Sequence, residues 1–469
     1  MGGSTRSGGK PREGFLRGVR AITLPARSRY TSANEFHLTA IKINMGKSHA
    51  NRDSADILVI GGGPAGIMAA GRAGESGVKT TLIEKNPGLG VKLLLTGGGR
   101  CNLTNSADLK EFIAAFGKNG NFLHRALSVF SNEDLTAFFN SRGVPTRADP
   151  DGKIFPSDDK ARSVLDALIG YLKDTKVNIA CGSQATGILI RNGSQIEGVS
   201  LPDGDIIRGK KIIIASGGMS YPKTGSTGDG YSLAKQCGHS IVPLRPGLTA
   251  LESDDPFIKD LQGLTLKGVT LSVLINGREA ATEKGELLFT HFGVSGPKLL
   301  IMSGVAVDAL LERGNKVEIS VNLTPERTPA EFTAAIQKYF SDNGAKMFST
   351  YLKTALPASL ASVFERLSGI APGRQCASIT GAERKKLAEL FGNFKIHITR
   401  PRPIQEATVT RGGVNLAEIN PRTMESRIMR GLYFCGEVLD LDGITGGYNL
   451  QEAFSTGRLA GQSAAAELE

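Results

Sequence analysis

The chain of 469 residues has no tryptophan, five cysteines and six histidines. The cysteines stand at 101, 181, 237, 376 and 435, odd in number and far apart, with no Cys-x-x-Cys pair and no Cys/His cluster. That spacing excludes a disulfide scaffold and a zinc site, so no bound metal is expected. No apolar run reaches the ~18 residues that a membrane-spanning helix needs, and no membrane partner is expected. The longest such run, Leu299 to Leu311, contains Asp308 and reads as a buried helix. A strong charge is missing too, outside one segment. The net charge is +11, but residues 1–54 hold ten Lys/Arg and three Asp/Glu, leaving 46 and 42 for the rest. The main body is only mildly basic, which gives no bulk signal for nucleic acid and leaves such a partner open. Residues 1–54 are rich in Ser and Thr and poor in acids. They read as a transit peptide to a mitochondrion or chloroplast, or else as a disordered extension of a cytoplasmic protein.

What the chain has in excess is glycine, 59 residues, clustered at 61–66, 97–99, 217–230, 412–413 and 443–447. The first cluster lies in ILVIGGGPAGIMAAGRAGESGVKTTLIE, residues 57–84. An apolar strand enters Gly61-x-Gly63-x-x-Gly66, a helix opens through Pro64 and Ala65, and a second strand ends at Glu84 and Lys85. Gly61 suits a tight turn, Gly63 lets backbone approach a pyrophosphate, and Gly66 brings helix and strand together. The helix N-terminus presents N–H groups to phosphate, and Glu84 can accept from ribose hydroxyls. No second such fingerprint occurs, so a separate nicotinamide domain is not expected.

Residues 131–142 and 160–173 have helical periodicity, the first opened by Ser131. Runs at 186–191, 196–200 and 211–215 read as strands, with Asn192-Gly193 as a turn. Pro243–Pro246 reads as a boundary. Beyond it, 264–275, 286–290 and 316–323 alternate like strands, 328–392 is helical, and 395–399 and 404–410 are strand-like. Residues 431–435 should rejoin the first sheet. The expected organisation is α/β: a basic extension 1–54, a Rossmann-like dinucleotide-binding domain in two parts, 55–245 and 397–469, and an insert 246–396. The insert divides into a β-rich part 246–325 and a helical part 326–394. It holds 17 basic and 16 acidic residues, so it is nearly neutral.

Four further segments carry chemistry. KLLLTGGGRCNLTN (92–105) places Gly97 and Gly98 where backbone can lie against a flat ring. Arg100 can meet a phosphate or anionic substrate, and Asn102 and Asn105 a ring edge. Cys101 is either a packing thiol or a proton donor. In ASGGMSYPKTGSTGDGY (215–231), Gly217 opens a nucleotide- or substrate-facing loop, with Thr227 or Asp229 as cap of the next helix. GLYFCGEVLDLDGITGGYNLQEAFSTG (431–457) ends a strand at Gly436-Glu437, then passes Gly446, Gly447 and Asn449 into a helix. Glu437 can hold ribityl hydroxyls. The helix N-terminus can stabilise charge on the pyrimidine edge of a reduced flavin. His291, in GELLFTHFGVSGP, is the best-placed imidazole for proton transfer, with a structural role the alternative. Thr410 and Arg411 can line the substrate side.

With IGGGPAG, TGGGRCNLTN, GGMSYPKTGSTGDGY, GELLFTHFGVSGP, TRGGVN and the 431–457 segment in place, residues 54–469 resemble the YhiN-like (BaiN-like, aminoacetone-oxidase-like) family of FAD-dependent oxidoreductases. Ser216 stands where such flavoproteins often have Thr. The resemblance implies a two-dinucleotide-binding-type FAD domain interrupted by a β-barrel-like and a helical insert, and non-covalent FAD. Hydride would pass between flavin N5 and a small-molecule or RNA-base substrate, with NAD(P)H as a transient reductant. Arg100, Cys101, Asn102 and His291 are the expected reaction-side residues. Two other readings stand beside it: a ribosomal RNA uridine reductase in an organelle, and a flavin-holding sensor or assembly factor without turnover. The oligomeric state is not specified by these motifs.

Overall fold

The computed structural model describes residues 20–23 and 54–468. The rest of the basic extension, and with it the targeting reading, lies outside the described residues. The chain divides into two compact units. One is built from Ala250–Pro401, and the other from the segments on either side of it, ending at Thr249 and resuming at Arg402. Each has its own hydrophobic core.

The split unit is built on a sheet ordered Asn178–Cys181, Thr80–Glu84, Ala55–Ile60, Ile206–Ile214. These four strands are parallel, and Ile57, Leu58 and Val59 are fully buried, as expected of strands covered on both faces. The long strand Ile206–Ile214 serves two neighbours. Its first residues pair antiparallel with Gln195–Ser200, and its last pair parallel with Leu432–Phe434, so the 431–435 run does rejoin the first sheet. The helix Asn132–Ser141 is capped by Ser131 in a capping box with Asp134. The helix Ala161–Asp174 buries Val164, Leu165, Leu168 and Leu172.

Two local expectations are corrected and one is refined. The PLRP segment, read as a boundary, lies just ahead of the division at Thr249 and inside a strand, Ile241–Gly247, which pairs with Val409–Val414 and shifts register between Val242 and Arg245. A two-stranded ribbon tolerates Pro243 because it needs no donor on its outer edge. Residues 404–410 are not one strand: Ile404–Glu406 is a single 3₁₀ turn, and the strand begins only at Val409, after Pro401 and Pro403 have interrupted the chain. The helix Asp229–Gln236 is capped by neither Thr227 nor Asp229. Its N-cap is Gly228, and Thr227 Oγ1 instead donates to Asp229 Oδ1 at 2.8 Å.

The insert is an antiparallel sheet running Phe394–Ile398, Val317–Asn322, Leu264–Ile275, Arg278–Phe289, Gly293–Ser295, Leu251–Glu252, Arg400–Pro401. Its first and last strands are one residue apart in the chain, so the sheet curls back on itself. The helices Pro329–Asp342, Phe348–Ala355, Ala358–Ser368 and Gly381–Gly392 bury their apolar faces in the same core. The Leu299–Leu311 run lies in a helix, Pro297–Leu311, but is not buried throughout: Leu311 is 58% exposed. Residues Arg20–Thr23, read as part of an unstructured extension, form a strand on Leu264–Lys267. They take up backbone groups that Val317–Asn322 leaves open, since its ladder stops at Thr270.

Candidate functional site

The fingerprint folds as strand, turn, helix and strand. Gly61 has φ +108°, and a Cβ there would lie 2.5 Å from Ala215 O, at the end of the neighbouring strand. A Cβ on Gly66 would lie 1.9 Å from Gly61 O, so only glycine lets the helix Pro64–Glu75 start this close to the strand it leaves. Gly63 is the N-cap, with no side-chain cap, no acid in the first turn and open space around its Cβ position. Pro64 is the first helical residue and Ala65 is buried behind it. Such an end suits an anion. Glu84 closes the second strand, buried, with Oε2 accepting from Gly62 N (2.6 Å) and Oε1 from Asn86 N (2.7 Å). Burial raises its pKa, and the two N–H donors pull the other way.

A second open helix end stands in the same unit. In the C-terminal helix Tyr448–Ala466, Gly457 lies against Ala65 O and Gly461 against Ala69 O. The two helices are therefore parallel. By that register the C-terminal helix begins eight residues before the level of Pro64, about 12 Å at 1.5 Å per residue. It too has no side-chain cap and no acid in its first turn. The unit thus holds two positive helix ends facing the same way and offset along one line.

Glu437, just past the strand Leu432–Phe434, is a hub. Its Oε2 accepts from Lys92 Nζ at 2.7 Å, and its Oε1 from Thr410 N at 2.9 Å and Ser220 Oγ at 3.1 Å. Lys92 Nζ also donates to Ser220 Oγ at 2.7 Å. Thr410 is fully buried and accepts from Met219 N and Ser220 N, so it ties loops together instead of lining an open surface. Lys92 and Ser220 were missed by sequence reasoning. The signal for Lys92 was its place as a lone cation before the glycine turn.

The remaining predicted residues fall as follows. Gly97 and Gly98 are exposed, with φ +57° and +69°. Gly217 and Gly436 have φ +73° and +75°; the Cβ position of Gly217 is 3.9 Å from Glu437 Oε2 and that of Gly436 is 2.7 Å from Ala65 Cβ. Lys85 pairs with Asp229 at 2.7 Å and pins the loop at Thr227. Arg100 is half exposed, its guanidinium 4.1 Å above the Phe155 ring and near Asp149 and Asp159. Cys101 is fully buried and packs in the core. Burial pushes its thiol up to about 12, so it keeps its proton at neutral pH and meets no solvent. Arg411 pairs with Asp442 at 3.3 Å.

The asparagines serve the protein first. With its amide nitrogen turned toward Thr104, Asn102 donates to Thr104 O (3.0 Å) and Ile154 O (3.3 Å) and accepts from Gly447 N (2.9 Å). Asn105 Nδ2 donates to Gly446 O at 3.0 Å. Asn449 closes its own loop, accepting from Gly443 N at 2.8 Å and donating to Gly443 O at 2.9 Å. Asn102 and Asn105, expected at a ring edge, bond the backbone ahead of the C-terminal helix in this structure. His291 belongs to the other unit. It is exposed, between the strands Arg278–Phe289 and Gly293–Ser295, with its ring edge-on to Phe292 at 4.9 Å.

The sequence matches the family described as HI0933-like protein Rossmann domain over residues 55–463. It is 32% identical to a 3-dehydro-bile acid delta(4,6)-reductase of Clostridium scindens, covering 87% of this chain and 98% of that protein. It is 30% identical to a ribosomal RNA dihydrouridine synthase of Escherichia coli, covering 86% and 96%. Among solved structures, a 3-ketosteroid delta1-dehydrogenase from Sterolibacterium denitrificans superposes with a TM-score of 0.51 at 12% identity, over 88% of this chain and all of that one, a likeness of fold.

Proposed function

Because the chain belongs to the HI0933-like Rossmann-domain family and is an FAD-dependent oxidoreductase, we propose that it reduces a carbon–carbon double bond conjugated to a carbonyl. On the protein itself, the pair of parallel helix ends offset by eight residues supports the flavin. One end suits a pyrophosphate, and the other lies further along by about the reach of a ribityl chain and part of a ring. The residues fit FAD: uncapped N–H groups without first-turn acids at both ends, a glycine turn at 97–99, and Glu84 at the ribose position.

When bound, and once reduced by the donor, the flavin would supply two electrons as a hydride from N5. The chain's own residues hold and orient. The Gly61–Gly66 turn and its helix take the pyrophosphate, Glu84 accepts from the ribose, and Glu437 with Lys92 and Ser220 frames the ribityl hydroxyls. The C-terminal helix turns its N–H groups to the pyrimidine edge. Arg100 is the proposed contact for an anionic substrate group. Cys101 packs.

The double-bond assignment draws on two names. One relative is a reductase of a 3-dehydro bile acid at its 4,6 unsaturation, and the other makes dihydrouridine, which is uridine with its carbonyl-conjugated 5,6 bond saturated. A ribosomal RNA uridine is accordingly the second reading. NAD(P)H is the proposed reductant, docking transiently. The test is stopped-flow mixing of the yellow holoprotein with NADH or NADPH, then with a 3-keto-Δ4 steroid or with large-subunit ribosomal RNA. Reoxidation by the steroid is expected. Reoxidation by the RNA alone, with dihydrouridine formed, selects the second reading. Reoxidation by neither overturns both readings of the substrate. Glu84→Ala should weaken FAD binding about 10- to 100-fold, the loss of one charged hydrogen-bonding group. Titration of FAD fluorescence reads it, and an unchanged Kd would remove Glu84 from the ribose.

A further inference from the structure

We propose that Asn102 and Asn105 are positioning residues that set the start of the C-terminal helix and thereby the preference of the site for reduced over oxidised flavin, a role that rests on the flavin reading above. Asn102 follows Cys101, whose φ of +62° turns the chain out of the glycine loop. Its amide is spent on three backbone groups, and one of them is the N–H of Gly447, the residue just before the helix. Asn105 holds the carbonyl of Gly446 next to it. Two side-chain amides from one short segment thus grip two consecutive residues.

The fit beneath them is close. Gly447 has φ +99°, and a Cβ there would lie 2.3 Å from Thr104 O. The helix start therefore rests directly on the backbone between the two asparagines. Thr104 Oγ1, on that same backbone, is fully buried and has no hydrogen-bond partner in the protein. From the other side, Asn449 closes the loop 443–449. Nothing on the helix itself caps it, so its first N–H groups owe their direction to this external clamp.

Hydrogen bonds weaken steeply with misalignment, and charge-assisted ones are the strongest. A reduced flavin carries negative charge on its pyrimidine edge and the oxidised ring does not. Loosening the helix start therefore costs the reduced form more. A residue that only supported the fold would cost both forms alike.

The experiment uses the full-length protein and its Asn102→Ala and Asn105→Ala variants. Affinities for oxidised and reduced FAD are measured with the two-electron midpoint potential, and amide exchange at Gly447 and Tyr448 is followed in the apoprotein. Asn102→Ala is expected to lose about tenfold more affinity for reduced than for oxidised FAD, a fall of about 30 mV. Exchange at Gly447 should rise at least about tenfold with the loss of the Asn102 acceptor. Should Asn102→Ala fail to fold, Asn105→Ala carries the same expectation. Equal losses for the two redox forms, or an unchanged potential, overturn the proposal. A wild-type chain that takes up no FAD removes the flavin reading alone. The clamp is then judged by amide exchange, and exchange as slow in the variants as in the wild type overturns it.

Discussion

Gly457→Val should melt the FAD-binding unit at a temperature lower by roughly 6 °C or more, and with it abolish flavin retention. The helices Pro64–Glu75 and Tyr448–Ala466 meet through bare backbone. A Cβ at Gly457 would stand 2.3 Å from Ala65 O, and one at Gly461 would stand 2.2 Å from Ala69 O. Neither oxygen can turn aside, because each belongs to a helix backbone. Overpacking of a core usually costs about 1–3 kcal/mol. With a rigid backbone as the obstacle we expect about 3 kcal/mol or more, which converts to the stated shift for a domain of this size. The loss of flavin follows from the same displacement, since Ala65 opens the helix at the pyrophosphate end and Gly457 sits one turn past Ala453, beside Gly436. Thermal melts and FAD content of Gly457→Ala, Gly457→Val and Gly461→Ala should form a graded series. Wild-type melting of Gly457→Val would show that the two helices do not pack as described.

Glu452→Gln should do the reverse and stabilise the protein, by an amount that grows with pH. Glu452 is buried within the C-terminal helix. Its carboxyl accepts from Thr456 Oγ1 at 3.3 Å, a hydroxyl that donates more closely to Glu452 O at 2.7 Å and accepts from Gly436 N at 3.0 Å. Burial pushes its carboxyl up to about 8, opposed by the Thr456 bond and helped by the negative charge of Glu437. An unfolded chain releases this proton near 4.5. Between those values the folded state binds the extra proton, so stability falls as pH rises through the window and levels off above it. At 1.36 kcal/mol per unit the full loss is on the order of 5 kcal/mol. Glutamine, neutral and of the same size, escapes it. Wild type and variant should melt together near pH 5, separate steadily toward about pH 8 and run parallel above it. Curves parallel throughout would mean that Glu452 finds a cation or water that ionises it at no cost.

The parts of this protein that were legible from its sequence are those whose physics is local. Gly61 to Glu84 is one continuous strand, turn, helix and strand, so its glycines could be assigned turn by turn, and Gly61 and Gly66 have the close backbone contacts that their places demand. Ser131 was legible as a cap because its partner, Asp134, is three residues away. The β-rich and helical stretches of the insert showed in their periods. The Pro243–Pro246 segment was legible as lying near a boundary, but the strand through it was not, because a proline pair looks the same in a linker and on the edge of a ribbon.

At the site, residue types were legible and their partners were not. Asn102, Asn105 and Glu437 were picked out as polar groups among glycines, which says that they matter and not what they hold. Asn102 accepts from Gly447, Asn105 donates to Gly446, and Lys92 reaches Glu437, each across more than three hundred residues. A hydrogen bond reaches about 3 Å and has a direction, and only the folded chain brings such groups that near. The sequence by itself determined the class of cofactor, because the grip on a pyrophosphate is built from consecutive residues. The tertiary structure decided how the far end of that cofactor site is held, because there the helix end, the turn and the carboxylate come from three distant segments and act on one another only once packed.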